Sequence, residues 1–355
     1  MTAELDDAAR RTFFRRMIGV LNEAMLALGI SIGYRAGLFD ALDDGAARSS
    51  AQLAEEAGAD ERYVREWLSA MTVGEVVTYD PATGTWRLPA EHAASLTSAA
   101  GSSNVARLMQ FVPMLGQVES QVLECVRHGG GVGYEAFAGF HRVSDDDTAQ
   151  DYDDDLVLEL LSYAPGAIDR LRAGIDVVDV GCGSGHILCV MAGLFPSSRF
   201  TGFDIADEAL EAARGKAGAA GLDNVTFVRR DAAALGEVDA FDLVTTFDAV
   251  HDQARPDLLL AGIVEALRPD GVYLCVDIRA SSNLEDNLEH PMGPFIYVVS
   301  LLHCMTVSLS EGGLGLGTAW GYQLATRMLH EAGFTHVATH TRKGDAMKQI
   351  YVATP

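Results

Sequence analysis

The chain has 355 residues, enough for two domains with a sizeable core, and its 48% hydrophobic and 21% charged residues are ordinary for a globular protein. Its formal net charge of −24 argues against nucleic-acid binding, because a duplex binder gains affinity by neutralising phosphates with Lys and Arg. Five scattered cysteines (Cys125, Cys182, Cys189, Cys275 and Cys304) form no CxxC pair and no Cys/His cluster, so neither a zinc site nor a disulfide framework is expected.

The opening "MTAELDDAARRTFFRRM" has charges but no apolar stretch before a small-residue site, so no leader is expected and the protein is read as cytoplasmic. Arg10, Arg11, Arg15 and Arg16 are spaced to share one helix face, with Phe13, Phe14 and Met17 opposite, and read as a solvated face. "SSAQLAEEAGADERYVREWLSAM" opens on Ser49 or Ser50 as N-cap, breaks at Gly58 and restarts after Ala59 with acids in the first turn. "GEVVTYD", the turn "PATG" and "TWRLP" follow as two short strands. Helix, turn, helix and hairpin make a winged-helix pattern over residues 1–100. Its second helix sets Asp60, Glu61 and Glu66 against Arg62 and Arg65, a mixture unlike the excess positive charge of a groove reader.

Residues 101–165 read as a helical linker and substrate cover. Within them, seven aspartates fall in the eleven positions from Asp145 to Asp155. The EF-hand pattern and its closing Glu are absent, so the run reads as a solvated connector or helix start. From 166 to the end the rhythm changes. "IDVVDV", "RFTGFD", "VTFVRRD", "FDLVTTFD" and "GVYLCVDI" are short apolar runs alternating with helical segments, the pattern of a parallel sheet covered on both faces. The fold class is therefore α/β, with a doubly wound C-terminal sheet behind a mainly helical N-terminal domain. The apolar run Phe295 to Leu309 holds a His, a Thr and serines; it is short for a membrane span and reads as a buried helix.

Ligands of such sheets bind at the carboxyl ends of the strands. "VVDVGCGSGHI" ends the first of them, with Gly181, Gly183 and Gly185 and with Asp179 two residues ahead. A dinucleotide site would place its third glycine where His186 stands, and a carboxylate at Asp179 would repel a pyrophosphate and attract a cation. The ligand expected is an adenosine with a cationic, amino-acid-like end and no diphosphate. S-adenosylmethionine has that form.

These residues resemble the first motif of the class I (Rossmann-like) methyltransferases, over roughly 174–355. The resemblance implies S-adenosylmethionine as cofactor and S-adenosylhomocysteine as product. It implies that Asp204, followed by Ile205, takes the ribose hydroxyls, that Asp231 and the Ala232 amide take adenine, and that Phe247 and Asp248 flank the methionine part. The first domain is similar to that of the small-molecule O-methyltransferases, where it pairs subunits and covers the substrate, so a homodimer is implied. In those enzymes a His-Asp pair after the fourth strand supplies a base. His251 and Asp252 match it, and Asp277 matches the carboxylate that orients the imidazole. Gln253 replaces the usual Trp, and no acid near Ala319 or Trp320 matches the further carboxylate of that family. A bland role is open beside the catalytic one: His251 capping a helix or packing there. His303 reads as a core residue and His186 as the start of the first helix.

The segment 279–320 is expected as an insertion forming the substrate wall. Tyr134, His251, Phe295 and Trp320 are the candidate acceptor contacts, for a small and largely apolar or aromatic molecule. The competing readings are a DNA-binding regulator with a similar effector and a silent binder of the same cofactor. No nucleic acid, membrane or metal partner is expected.

Overall fold

A computed structural model of the chain describes residues 5–355, the side chain of His141 excepted. It divides into two compact units, Met1–Gly116 and Gln117–Pro355, with the break inside the stretch read from sequence as a linker.

In the first unit, α1 (Asp7–Arg35) starts on Asp6, whose carboxylate accepts from the Ala8 and Ala9 amides. α2 (Ser50–Ala57) opens with a capping box between Ser49 and Gln52 and ends at Gly58, in the left-handed region at φ 64°. Asp60 then caps α3 (Glu61–Val73). Val64, Trp67, Leu68 and Met71 recur at helical spacing and bury one face of α3 in a core with Phe39 and Leu53. The Trp67 indole requires Gly33, where a Cβ would sit 2.4 Å away. The strands β1 (Thr78–Asp80) and β2 (Thr85–Arg87) pair antiparallel and complete the expected motif. On the outer face of α3, Arg62 pairs with Glu66 at 2.6 Å and Arg65 with Glu61 at 3.6 Å, so both arginines are already neutralised on their own helix. The first half of α1 departs from a simple amphipathic helix, since its arginines and also Phe13 and Phe14 are exposed.

In the second unit the described residues form one seven-stranded sheet. Its strands are β3 (Asp176–Val180), β4 (Arg199–Asp204), β5 (Val225–Arg229), β6 (Phe241–Phe247), β7 (Leu267–Ile278), β8 (His336–Thr341) and β9 (Lys348–Thr354). They lie in the order β5-β4-β3-β6-β7-β9-β8. The first five run parallel, and β9 is antiparallel to both neighbours. The helices used below are α4 (Phe140–Asp151), α5 (Asp154–Ser162), α6 (His186–Leu194), α7 (Asp207–Ala219), α8 (Pro256–Ala266) and α10 (Gly321–Ala332), with α9 (Gly293–Ser310) preceding the last.

Strand alternation assigns the two faces. Val177, Leu243 and Leu274 pack under α5, α6 and α7, whereas Val178, Val244 and Tyr273 pack under α8 and α10. Strand order reverses between β3 and β6, whose registers pair Asp179 with Thr245, and this switch point places the ligand cleft at their carboxyl ends.

Two expectations about the insertion change. Trp320 is 3% exposed and lies in the core cluster with Tyr351, so it is a packing residue and not part of an acceptor wall. The apolar run belongs to α9, which is only half buried and contains a π turn at Ser300–Cys304. Among the described residues, α1 and α9 are long and apolar enough to cross a membrane by length and composition, so the sequence argument from shortness does not hold for α9.

Candidate active site

The glycine loop leaves β3 with Gly181, Gly183 and Gly185 at φ 76°, 53° and 71°, a conformation that side chains with a Cβ rarely adopt. Each glycine has its own reason. A Cβ on Gly181 would lie 2.7 Å from Ala249, and one on Gly185 would lie 2.6 Å from the Phe227 ring. A Cβ on Gly183 would meet nothing within 4 Å, so the backbone there faces open space. The Gly183 amide donates to Asp204 Oδ2 at 2.8 Å, and the Ala206 amide donates to Oδ1 at 2.9 Å. Asp204 is thus fixed at the end of β4 with one backbone donor on each oxygen, leaving lone pairs on both for a pair of hydroxyls.

Ile205 beside it is 55% exposed, an apolar surface that a flat base would cover. Asp231 accepts from the Ala233 amide at 2.9 Å and starts the short turn that carries Ala232. Asp179 is buried beneath the loop, where its Oδ1 accepts from the Thr245 hydroxyl at 2.8 Å. Burial raises its pKa to about 7, so a bound cation would favour its ionised form. These features fit S-adenosylmethionine: Asp204 for the ribose, Ile205 and Asp231 for the base, and Asp179 on the cationic side.

Phe247 ends β6 and meets the Tyr152 ring edge-on, with centroids 5.6 Å apart. Asp248 follows at φ 51° and pairs with Lys348 of β9, whose ammonium lies 5.3 Å from the centre of the Tyr152 ring. Sequence reasoning put Asp248 beside the methionine part. In the structure one of its oxygens is committed to that ion pair.

On the acceptor side, His251 is 4% exposed and Asp277 is 0% exposed, and Nδ1 meets Oδ1 at 2.6 Å. The same oxygen accepts from the Ile278 amide at 2.6 Å. Burial pulls the imidazole pKa down, the Asp277 charge and then the neighbouring Cys304 push it up and prevail, and His251 stands well above its ordinary value. Asp252 accepts from the Tyr134 hydroxyl at 3.1 Å, and burial raises its carboxyl to about 6. The π turn of α9 places His303 against rings: stacked on Phe140 at 4.0 Å, with Phe137 and Tyr134 edge-on. Phe295 is half-buried on the first turn of the same helix.

Four further participants escaped the sequence reading: Asp145, Tyr152, Lys216 and Lys348. His186 Nε2 bonds the Tyr152 carbonyl at 2.9 Å. Asp145 pairs with Lys216 and with Ser184 of the glycine loop, which corrects the view of the acidic run as merely solvated. Asp153 does serve as the helix start expected, accepting from the Leu156 amide at 2.8 Å. A signal existed for the lysines, since the chain contains only three and two of them stand at this cleft. Among the described residues no group of three or more His, Cys, Asp or Glu side chains is arranged to hold a metal ion.

Residues 24–98 match the family described as an Rv2258c-like winged HTH domain, and residues 171–333 match the methyltransferase domain family. The chain is 34% identical over 107 residues to a fatty-acid O-methyltransferase of Mycolicibacterium smegmatis, covering 30% of this chain and 38% of that protein. It is 32% identical over 182 residues to a ribosomal RNA small subunit methyltransferase G of Bacteroides fragilis, covering 50% of this chain and 72% of that one. The chain spans only about two fifths of the first curated relatives it matches, 38% and 41% of their lengths. Among solved structures, mitomycin 7-O-methyltransferase aligns over 99% of this chain and 100% of its own, with TM-score 0.72 and 19% identity. Human N-acetylserotonin methyltransferase, in complex with S-adenosylmethionine, aligns over 100% and 99% with TM-score 0.70 and 18% identity. At such identity these two report the fold.

Proposed function

Since the chain belongs to the class I (Rossmann-like) methyltransferases and carries an N-terminal winged-helix domain, we propose that it transfers a methyl group from S-adenosylmethionine to a small, largely apolar or aromatic acceptor. The observation that carries this is the open loop at Gly183, whose amide is held by Asp204. Bound there, the cofactor supplies a methyl group on a cationic sulfonium. The chain's own residues do the rest. Asp204 and Asp231 hold the nucleoside end, and Asp179 favours the cation. Asp277 accepts from Nδ1–H of His251 and so leaves Nε2 to take the acceptor proton as the methyl moves in line. Tyr134, Phe295 and the rings around His303 supply apolar and aromatic surface for the acceptor.

The named substrates of the relatives point the same way. The curated relatives include methyltransferases of a fatty acid and of phthiotriol dimycocerosates, and the fold relatives include those of mitomycin and N-acetylserotonin. The ribosomal RNA relative does not carry its substrate over, because a net charge of −24 and the paired arginines of α3 oppose nucleic acid. For α1 we propose pairing with a second copy. Phe14, Ile18, Leu21 and Met25 recur every three or four residues and are 45% to 64% exposed, a continuous apolar seam for another helix.

The decisive experiment is incubation with methyl-labelled S-adenosylmethionine and a panel of phenols, hydroxylated polycycles, fatty acids, amines and RNA. Label transfer to a small acceptor supports the reading. Transfer to RNA alone, or a folded protein without affinity for S-adenosylhomocysteine, overturns it.

A further inference from the structure

The segment from Tyr134 to Tyr152 touches both halves of the proposed site. At its start the Tyr134 hydroxyl donates to Asp252, and Phe140 stacks on His303. At its end the Tyr152 carbonyl meets His186, the first residue of α6, and the Tyr152 ring packs on Phe247 and over Lys348. Between these ends, on α4, Asp145 reaches the cofactor loop itself. Its Oδ1 contacts both Lys216 Nζ on α7 and the Ser184 hydroxyl, while Lys216 Nζ also donates to Ser184 Oγ at 2.9 Å. Ser184 stands between Gly183, whose amide Asp204 holds, and Gly185, the N-cap of α6. α4 and the residue that follows it therefore reach the loop after β3 through Ser184 and the end of β6 through Phe247. Gly139, at φ 81°, precedes α4 and supplies a place for the chain to turn without a Cβ in the way.

We propose that residues 140–152 form a strap over the cofactor cleft, and that the Asp145–Lys216–Ser184 bridge is the latch that sets how fast cofactor and product leave. This rests on the glycine loop being an S-adenosylmethionine site. The physical reason for a latch of this kind is its mixed environment. Lys216 and Asp145 are about a third exposed, at 30% and 29%, so water can replace the pairing when the strap lifts, and the charged bond reforms when it settles. A fully buried pair would open too rarely, and a fully exposed pair would hold too weakly. Asp145 acts through Ser184 and is a positioning residue; it need not touch the reacting atoms.

The test uses the full-length protein and S-adenosylhomocysteine as probe. Binding is measured by calorimetry, and dissociation by chasing labelled probe with excess unlabelled probe. Asp145→Asn should speed dissociation roughly tenfold and, because the same strap covers the way in, speed association as well, with affinity by calorimetry changing less than either rate. Lys216→Met should do the same, and the double variant should lose no more than either single one, because both remove one bridge. Asp145→Glu should recover part of the slow dissociation. Unchanged dissociation in folded Asp145→Asn, or additive losses in the double variant, overturns the latch. If Asp145→Asn does not fold, Lys216→Met and Asp145→Glu decide the question. A wild-type protein that does not bind the probe overturns the cofactor reading and the latch with it, and is told apart because there is then no wild-type rate to change.

Discussion

Replacing Asp277 by Asn tests the acid–base reading at its centre. The carboxylate is 0% exposed and accepts from His251 Nδ1 and the Ile278 amide, each at 2.6 Å. Asn keeps the shape and one acceptor but removes the charge. The largest force raising the imidazole pKa is then gone, while burial still pulls it down, so His251 should lose its proton at lower pH than in the wild type. A base works in its unprotonated form. Wild-type kcat/KM should therefore rise with pH along a limb above the ordinary imidazole range, and in Asp277→Asn that limb should move toward acid. On its plateau the variant should turn over roughly 10- to 100-fold more slowly, because a neutral amide stabilises the imidazolium less. His251→Gln should lose about 10²–10⁴-fold on the wild-type plateau, and the loss should shrink at high pH, where a phenolic acceptor ionises unaided. Stability provides a second readout of the same pair. Because the folded pKa of His251 is raised, the pair's contribution is complete below the unfolded imidazole pKa and fades as pH rises through the folded one. At pH 6 the loss of a buried charge-assisted hydrogen bond should cost about 1–3 kcal/mol, or roughly 2–10 °C in Tm, and the gap should narrow in alkali. A limb that stays in place, together with a Tm gap independent of pH, would show that the charge of Asp277 does not govern His251.

Four other outcomes are expected. Asp204→Ala removes the acceptor for both ribose hydroxyls and should cost about 2–4 kcal/mol of S-adenosylmethionine affinity by calorimetry, with the fold intact by circular dichroism. Affinity for S-adenosylmethionine should increase as pH rises through about 7, where Asp179 ionises, and Asp179→Asn should flatten that dependence. Gly183→Ala and Gly185→Ala should part company in thermal melts and ligand titrations. Both carry the backbone strain of a Cβ at positive φ, but the first has room for its methyl group and should add mainly a loss of cofactor binding, whereas the second also drives a Cβ to 2.6 Å from Phe227 and should destabilise the fold more. Light scattering should report a dimer, and Ile18→Asp with Leu21→Asp should give a monomer if the exposed seam of α1 pairs subunits.

Much of this protein was legible in its sequence. Apolar runs of fixed length, punctuated by glycines and caps such as Ser49 and Asp60, are local instructions, and the expected elements of both units formed from them. The cofactor loop was legible for the same reason: Gly181, Gly183 and Gly185 demand a left-handed backbone that a neighbouring strand and helix cannot disguise. Once strands alternate with helices, the sheet fixes where their ends converge, and that places Asp179, Asp204, Asp231 and His251 near one cleft with no knowledge of their contacts. The sequence alone therefore determined the fold class and the position of the glycine loop, while the strand order that makes the switch point came from the structure.

Tertiary structure decided which of several equivalent side chains meets a partner. Asp145 is one of seven aspartates in its run, and nothing local separates it from the rest until α4 brings it to Ser184 and Lys216. Trp320 looked like an acceptor wall because aromatic residues near glycines line pockets, yet the packing of α10 against the sheet draws it into the core. Lys348 finds Asp248 because β9 pairs with β7 at the register Ile278 to Lys348, a long-range choice that no window of sequence contains. Backbone conformation responds to neighbours along the chain, whereas the partners of a charge depend on which distant elements share the same few ångströms.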